Sequence, residues 1–256
     1  MNLLPNIEII DLAIYLKKEK TLIIADTHIG YEEYLNKEGI LVPRFQFEDV
    51  IKRLDDIFSK LKKKKIEQII VNGDIKHEFG TISEQEWRNT LKLIDFLARK
   101  GKLTLIKGNH DTILGPIARK RGLEIVEKYE IGEVSVIHGN KIISDKGINS
   151  SKTLIIGHEH PAISLREGVK VEKYKCFLLG KPPKSIDFGG AKNSKNFLAC
   201  GKQQLIVMPS FLPIIEGTNM TKERLLSPYL SGNIGDFDVF AIGDKTYRFG
   251  KLNGIK

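Results

Sequence analysis

The sequence predicts an α/β fold whose early strands run parallel, and two observations carry that prediction. Short apolar runs alternate with amphipathic stretches in the order β-α-β-α-β, the pattern of a parallel sheet covered on both faces. Later in the chain, from about 175 to 249, strand signals continue without long helices, which implies a second, more antiparallel half.

The elements follow in order. TLIIA (21–25) reads as a buried strand, and Phe45 to Leu61 as an amphipathic helix. EQIIVN (67–72) is a second strand. Ser83-x-x-Glu86 is a capping box opening a helix that runs to about Lys100 and ends at Gly101. LTLIK (103–107) is a third strand, and IVEKYEIGEVSVIHG (125–139) a hairpin turning at Gly132. TLIIG (153–157) is another buried run. Residues 180–203 contain six Gly or Pro residues and five lysines, so they read as a hairpin or long surface loop inserted into the chain. No repeat or boundary divides the sequence, and residues 1–256 are expected to form one domain.

Composition narrows the setting. With 256 residues, 41% of them apolar, the chain can bury a sizeable core. No window approaches the roughly twenty apolar residues of a membrane span, and the first twenty residues lack a signal-peptide pattern. Two cysteines, Cys176 and Cys200, are too few for a disulfide framework, so a reduced, cytoplasmic setting is expected. The net charge of +9 favours anionic partners such as phosphates or nucleic acid. The run Lys62 to Lys65 reads as a solvated helix end. The wealth of Lys, Glu and Ile is shared by many thermophile proteins.

The polar residues are not scattered. Asp26 and His28 follow the first predicted strand, Asp74 the second, and Asn109, His110 and Asp111 the third. His138 follows VSVI, and His158 and His160 follow TLII. Ligands collect at the carboxyl ends of strands in open α/β sheets, so these five loops are expected to converge. Alone, most of these signals are weak: Asp26-x-His28 suits a helix cap or a surface pair, Gly73-Asp74 a turn, and a lone His138 a core histidine, whereas Gly108-Asn109-His110-Asp111 after a strand is more specific, because a turn needs no such set. Yet five of the six histidines fall in these loops. Carboxylates, an amide and imidazoles without cysteine suit Mn, Fe, Zn or Ni. A pair of such cations about 3.5–4 Å apart can clamp a phosphoryl group, and it needs a bridging carboxylate; Asp74 lies at the centre of the set.

The ordered set DTH, GDIKH, GNHD, HG and GHEH, spanning 26–160, resembles the calcineurin-like metallophosphoesterase superfamily. The resemblance implies a four-layer α/β/β/α sandwich with mixed sheets. It implies one metal held by Asp26, His28 and His160, a second by Asn109, His138 and His158, and Asp74 bridging the two. It further implies that His110 protonates the leaving oxygen and that Asp111 orients His110. Manganese is the expected metal, with Ni, Fe and Zn as alternatives. The text GDIKHEFG lacks the arginine of the Ser/Thr protein phosphatases and the tyrosine of purple-acid-type members. With IVMPSF (206–211) it looks like the archaeal group related to double-strand-break repair nucleases, although 256 residues leave little room for a DNA-capping domain. His77 reads either as an outer hydrogen-bond partner of Asp74 or as a surface histidine at a helix start.

Three functions follow. The leading expectation is a phosphodiesterase for a small or nucleotide-containing diester, in which hydroxide between the metals attacks phosphorus in line. The second is a nuclease, supported by the charge and the lysines of 180–203, although no aromatic stacking patch is evident in the sequence. The third is an idle scaffold that binds a partner, disfavoured because every motif position is filled.

Overall fold

The computed structural model describes residues 1–80, 82–143, 145–182, 186–187, 195–196 and 203–255. The chain divides into two compact units, Met1–Glu127 with Ser210–Glu216, and Lys128–Pro209 with Gly217–Lys256.

The first unit is built on a seven-stranded mixed sheet in sequential order. Its strands are β1 (Asn2–Leu4), β2 (Ile7–Ile10), β3 (Ala13–Leu16), β4 (Thr21–Ala25), β5 (Gln68–Asn72), β6 (Lys102–Ile106) and β7 (Ile125–Val126). Four helices join them: α1 (Tyr31–Lys37), α2 (Gln46–Lys60), α3 (Glu84–Ala98) and α4 (Leu114–Arg119). From β4 to β7 the pairing is parallel, and every residue of β4 and β5 is buried, as a strand covered on both faces requires. The helices turn one stripe inward: Val50, Leu54 and Ile57 on α2, and Leu93, Ile94 and Leu97 on α3.

Two details depart from the expected pattern. Antiparallel strands β1 to β3 precede the first predicted strand. Their runs, IEII and AIYL, are four residues each and are turned back by Asp11 (φ 57) and Lys20 (φ 50). The capping box is half-formed: Ser83 Oγ accepts from the Glu86 amide at 3.1 Å. The Glu86 carboxylate instead accepts from the amides of His77 and Glu78, both at 2.9 Å.

The second unit holds the other large mixed sheet. Its elements are β8 (Lys128–Ile131), β9 (Val134–Ile137), α5 (Lys146–Ser150), β10 (Thr153–Ile156), β11 (Pro161–Glu167) and β12 (Lys170–Gly180). The two-residue strands β13 (Ile186–Asp187) and β14 (Lys195–Asn196) pair antiparallel; the rest of the 180–203 insertion lies largely outside the described residues. After them come β15 (Gln204–Val207), β16 (Thr218–Asn219), β17 (Asp238–Ile242) and β18 (Thr246–Lys251). The expected hairpin at Gly132 is β8–β9, while the first residues of that run, β7, belong to the other sheet. Strand β10 lies parallel between β9 and β15, and β12 runs antiparallel to β11, β15 and β17. The core of this unit gathers Ile156, Phe237, Leu178, Val207 and Tyr229 among others. Two large mixed sheets flanked by helices are the α/β class that the sequence predicts.

Ile70 sits at the centre of β5 with 0% exposure. Ile70→Ala is expected to lower the unfolding free energy by about 2–5 kcal/mol, from lost burial and the cavity left behind. Urea unfolding checks this, and a loss under about 1 kcal/mol would contradict the packing described.

Candidate metal centre

In the first unit, register brings the site residues level. Ala25, Asn72 and Ile106 pair across β4, β5 and β6, so the loops that follow leave the sheet side by side. The loops after β4 and β5 stay zipped by backbone bonds: Asp26 N–H to Gly73 O (3.2 Å), His28 N–H to Asp74 O (2.8 Å) and Ile29 N–H to Ile75 O (2.9 Å). Within this zipper Asp26, His28 and Asp74 hold left-handed backbone, with φ of 54, 42 and 42. Non-glycine residues adopt that region at a cost and persist in it only when their surroundings over-determine it. Gly108 is obligatory for a different reason: a Cβ there would overlap the amide and carboxylate of Asp74.

The side chains then meet. Asp26, His28 and Asp74 are buried, and Asn109 stands half-buried in the loop after β6. One Asp74 oxygen, Oδ1, accepts from the His110 amide at 2.8 Å. The other, Oδ2, lies 3.7 Å from His28 Nε2 and 3.9 Å from His110 Nε2. Those gaps are too long for hydrogen bonds. The His28 gap suits two donors around one cation, since two bonds of ~2.1 Å at an open angle leave ~3.5 Å between donors. His28 presents Nε2 because its Nδ1 is bonded to His77 Nδ1 at 3.2 Å, one ring donating and the other accepting. His77 therefore backs His28. His28, His77 and His110 bring one nitrogen each within 4.8 Å of one another. His110 Nδ1 donates to the His77 carbonyl, which leaves Nε2 as the exchangeable position.

Asp111 does more than its sequence position suggests. Its buried carboxylate accepts from the amides of Gly108 (2.9 Å), Ile75 (3.0 Å) and Lys76 (3.4 Å), tying the GNHD loop to the GDIKH loop. Lys76 is fully buried, and its Nζ donates to the carbonyls of Glu78 and His110. Burial lowers its pKa, against the pull of Glu86, Asp111, Asp74 and Glu78. Gln46, at the head of α2, donates to the carbonyls of Thr27 (3.2 Å) and His28 (2.7 Å), and its amide is held by Glu32 (2.9 Å). The segment after β15 also closes on this loop, as Phe211 N–H donates to the carbonyls of Ala25 and Asp26. Sequence reading missed Gln46, Glu32 and Lys76, and gave Glu86 only a capping role. Their one legible signal is a polar residue on an otherwise inward-facing stripe, as Gln46 and Glu86 are on α2 and α3.

The second unit carries the remaining histidines. Parallel pairing of Ile137 with Ile156 sets His138 beside Gly157, one residue before His158, and the two histidine rings stand 4.9 Å apart and edge-on. His158 and His160 again hold left-handed backbone, with φ of 65 and 50. The intervening Glu159 is a buried brace, accepting from the amides of Leu226 (2.9 Å) and Ser227 (2.8 Å). Ser227 Oγ in turn donates to the Gly139 carbonyl at 2.8 Å, so one segment holds both histidine loops. Burial raises the Glu159 pKa despite those amides.

Comparisons with known proteins agree with this chemistry. The family model of calcineurin-like phosphoesterases matches residues 19–202, well over half of the chain, and the protein belongs to that family. The family's hydrolases act on phosphoesters with divalent metals, and the His and Asp residues here form a group able to hold one. The crystal structure of nuclease MPE from Pseudomonas putida superposes with a TM-score of 0.59 at 19% identity, over 94% of this chain and 93% of that one. That likeness concerns the fold. A doubly substituted Vps29 from Entamoeba histolytica matches at a TM-score of 0.34 and 13% identity, over 90% of this chain and 98% of its own. No curated protein matches the sequence. Among the described residues, no helix is long and apolar enough to cross a membrane.

Two outcomes follow. Gly108→Ala is expected to displace Asp74 and lower metal content at least tenfold, read by elemental analysis of the purified protein; full metal content would contradict the close approach. Burial raises the Glu86 pKa above its ordinary 4.5, so folding favours the protonated form. The stability it contributes is greatest below 4.5 and is lost as pH rises through the folded-state value. Glu86→Gln removes that dependence, so its stability relative to wild type should increase from about pH 4 to about pH 7 in chemical unfolding. A flat or opposite trend would refute this assignment.

Proposed function

We propose that the protein is a two-metal-dependent phosphodiesterase acting on a small or nucleotide-containing diester. In this reading Asp26, His28 and His160 hold one cation and Asn109, His138 and His158 the other, with Asp74 shared. The observation that carries it is the spacing of His28 Nε2 and Asp74 Oδ2, 3.7 Å apart as two donors to one cation stand, with His110 Nε2 beside the same oxygen at 3.9 Å and the other nitrogen of each ring already engaged. Family membership supports the metal requirement. Manganese is the proposed ion, and the oxygen and imidazole donors also suit Ni, Fe or Zn. When bound, the cations supply Lewis-acid polarisation of the phosphoryl oxygens and a water of lowered pKa.

The chain's own residues do the rest. His110 carries a proton on Nδ1, committed to the His77 carbonyl, and delivers a second from Nε2 to the leaving oxygen. Asp111 acts on His110 through the backbone, by fixing the loop that bears it. His77 keeps the His28 ring turned toward Asp74.

His110→Ala should retain metal while turnover of an aryl phosphodiester with Mn²⁺ falls by about 10²- to 10⁴-fold. Chelation should abolish wild-type activity, and Mn²⁺ restore it. An unchanged rate in the variant would remove His110 from the mechanism; activity that survives chelation would remove the metals.

A nuclease is the second reading, favoured by the net charge of +9 and by the fold shared with a nuclease. It requires binding to short DNA or RNA that weakens steeply with salt, because phosphate contacts release counterions. Salt-independent or absent binding would dispose of it.

A further inference from the structure

Within the first unit, the rings of Tyr31, Tyr34, His77, His110 and Phe79 form a connected file, with His28 edge-on to His110 at its side. Tyr31 and Tyr34 meet the His77 ring at 4.6 and 4.9 Å between centroids. His77 stacks on His110 at 5.0 Å and 27°, and Phe79 leans on His110 at 3.8 Å and 35°. The ends of this file are open to solvent, Tyr34 at 36% and Phe79 at 56% exposure. An isolated exposed phenylalanine is ordinary on a protein surface. This one is not isolated, because its ring lies against His110, the expected proton donor. Nor is it loosely placed: Thr112 Oγ1, in the loop that bears His110, donates to the Phe79 carbonyl.

We propose that Phe79, continuing the stack of His77 and His110, forms a subsite for a nucleobase attached next to the scissile phosphate. This rests on the diesterase reading above and names its substrate class. Tyr31 and Tyr34 cross His77 at 87° and 59°, but the run from His77 through His110 to Phe79 is inclined by 27° and 35°, and another flat ring extends it with its π-face toward Phe79. Every base has such a face, so the subsite is tolerant of base identity. The apolar ring leaves recognition of the phosphate to the polar residues beside it. An alkyl chain would bury some area on Phe79 but would not match the stack.

The test compares ligands with and without a base. Equilibrium binding of adenosine 5′-monophosphate and ribose 5-phosphate is measured for wild type, Phe79→Ala and Phe79→Trp. In parallel, kcat/KM with Mn²⁺ is measured for a dinucleotide and for the same diester lacking one base. Wild type should favour the base-bearing partner about tenfold, as one base stacked on an aromatic ring warrants. In Phe79→Ala that ratio should fall to near one, and in Phe79→Trp it should persist. A wild type without preference, or an alanine variant that keeps the ratio, overturns the proposal. If no diester is hydrolysed at all, the diesterase reading fails, while the binding ratios still decide the stacking subsite.

Discussion

The backbone at the carboxyl ends of the strands is held in a conformation it would not choose. Asp26, His28 and Asp74 in one unit, and His158 and His160 in the other, all have left-handed φ values. Each departure costs on the order of 1–3 kcal/mol. Much of the buried polar machinery exists to hold these turns. In the first unit the β4 and β5 loops hydrogen-bond to each other, Gln46 holds the carbonyls of Thr27 and His28, and Asp111 draws three amides together. In the second unit Glu159 and Ser227 perform the same task. Side chains that project from such turns are aimed before any ligand arrives, which is what a metal centre needs of its donors.

That arrangement has an electrostatic consequence. Burial pushes Glu32, Glu86 and Glu159 toward their protonated forms and Lys76 toward its neutral one. Each of these groups costs stability when charged in its folded setting, and each is retained at a position that braces a loop. Asp26 and Asp74 are also buried, beside an imidazole whose Nε2 faces Asp74. Carboxylates gathered in this way are costly unless a cation shares the space. The donor set and its supports thus argue for the same occupant from opposite directions.

Local periodicity was a good guide where one element could be judged alone. The helix expected from Phe45 to Leu61 is α2, Gln46–Lys60, with those two residues as its caps. The runs at 21–25, 67–72, 103–107 and 153–157 are strands, offset by no more than one residue at either end. Periodicity failed where pairing partners decide. Four-residue runs such as IEII are ambiguous until a neighbouring strand takes their hydrogen bonds, so β1 to β3 went unseen. The apolar stretch from 125 reads as one hairpin, yet β7 pairs with β6 and β8 with β9. The capping box was half legible, because Glu86 had better partners in the amides of His77 and Glu78.

By itself the sequence determined which residues stand at the strand ends. The order DTH, GD, GNHD, HG and GHEH names Asp26, His28, Asp74, Asn109, His110, His138, His158 and His160 without reference to space, since each motif is local and each follows its own strand. Only the tertiary structure decided what holds and surrounds them. That His77 backs His28, that Asp111 binds three amides, and that Phe79 covers His110 are contacts between side chains and loops up to 49 residues apart. No period in the sequence encodes them. They depend on the register of β4, β5 and β6, which brings distant loops level and lets their side chains meet.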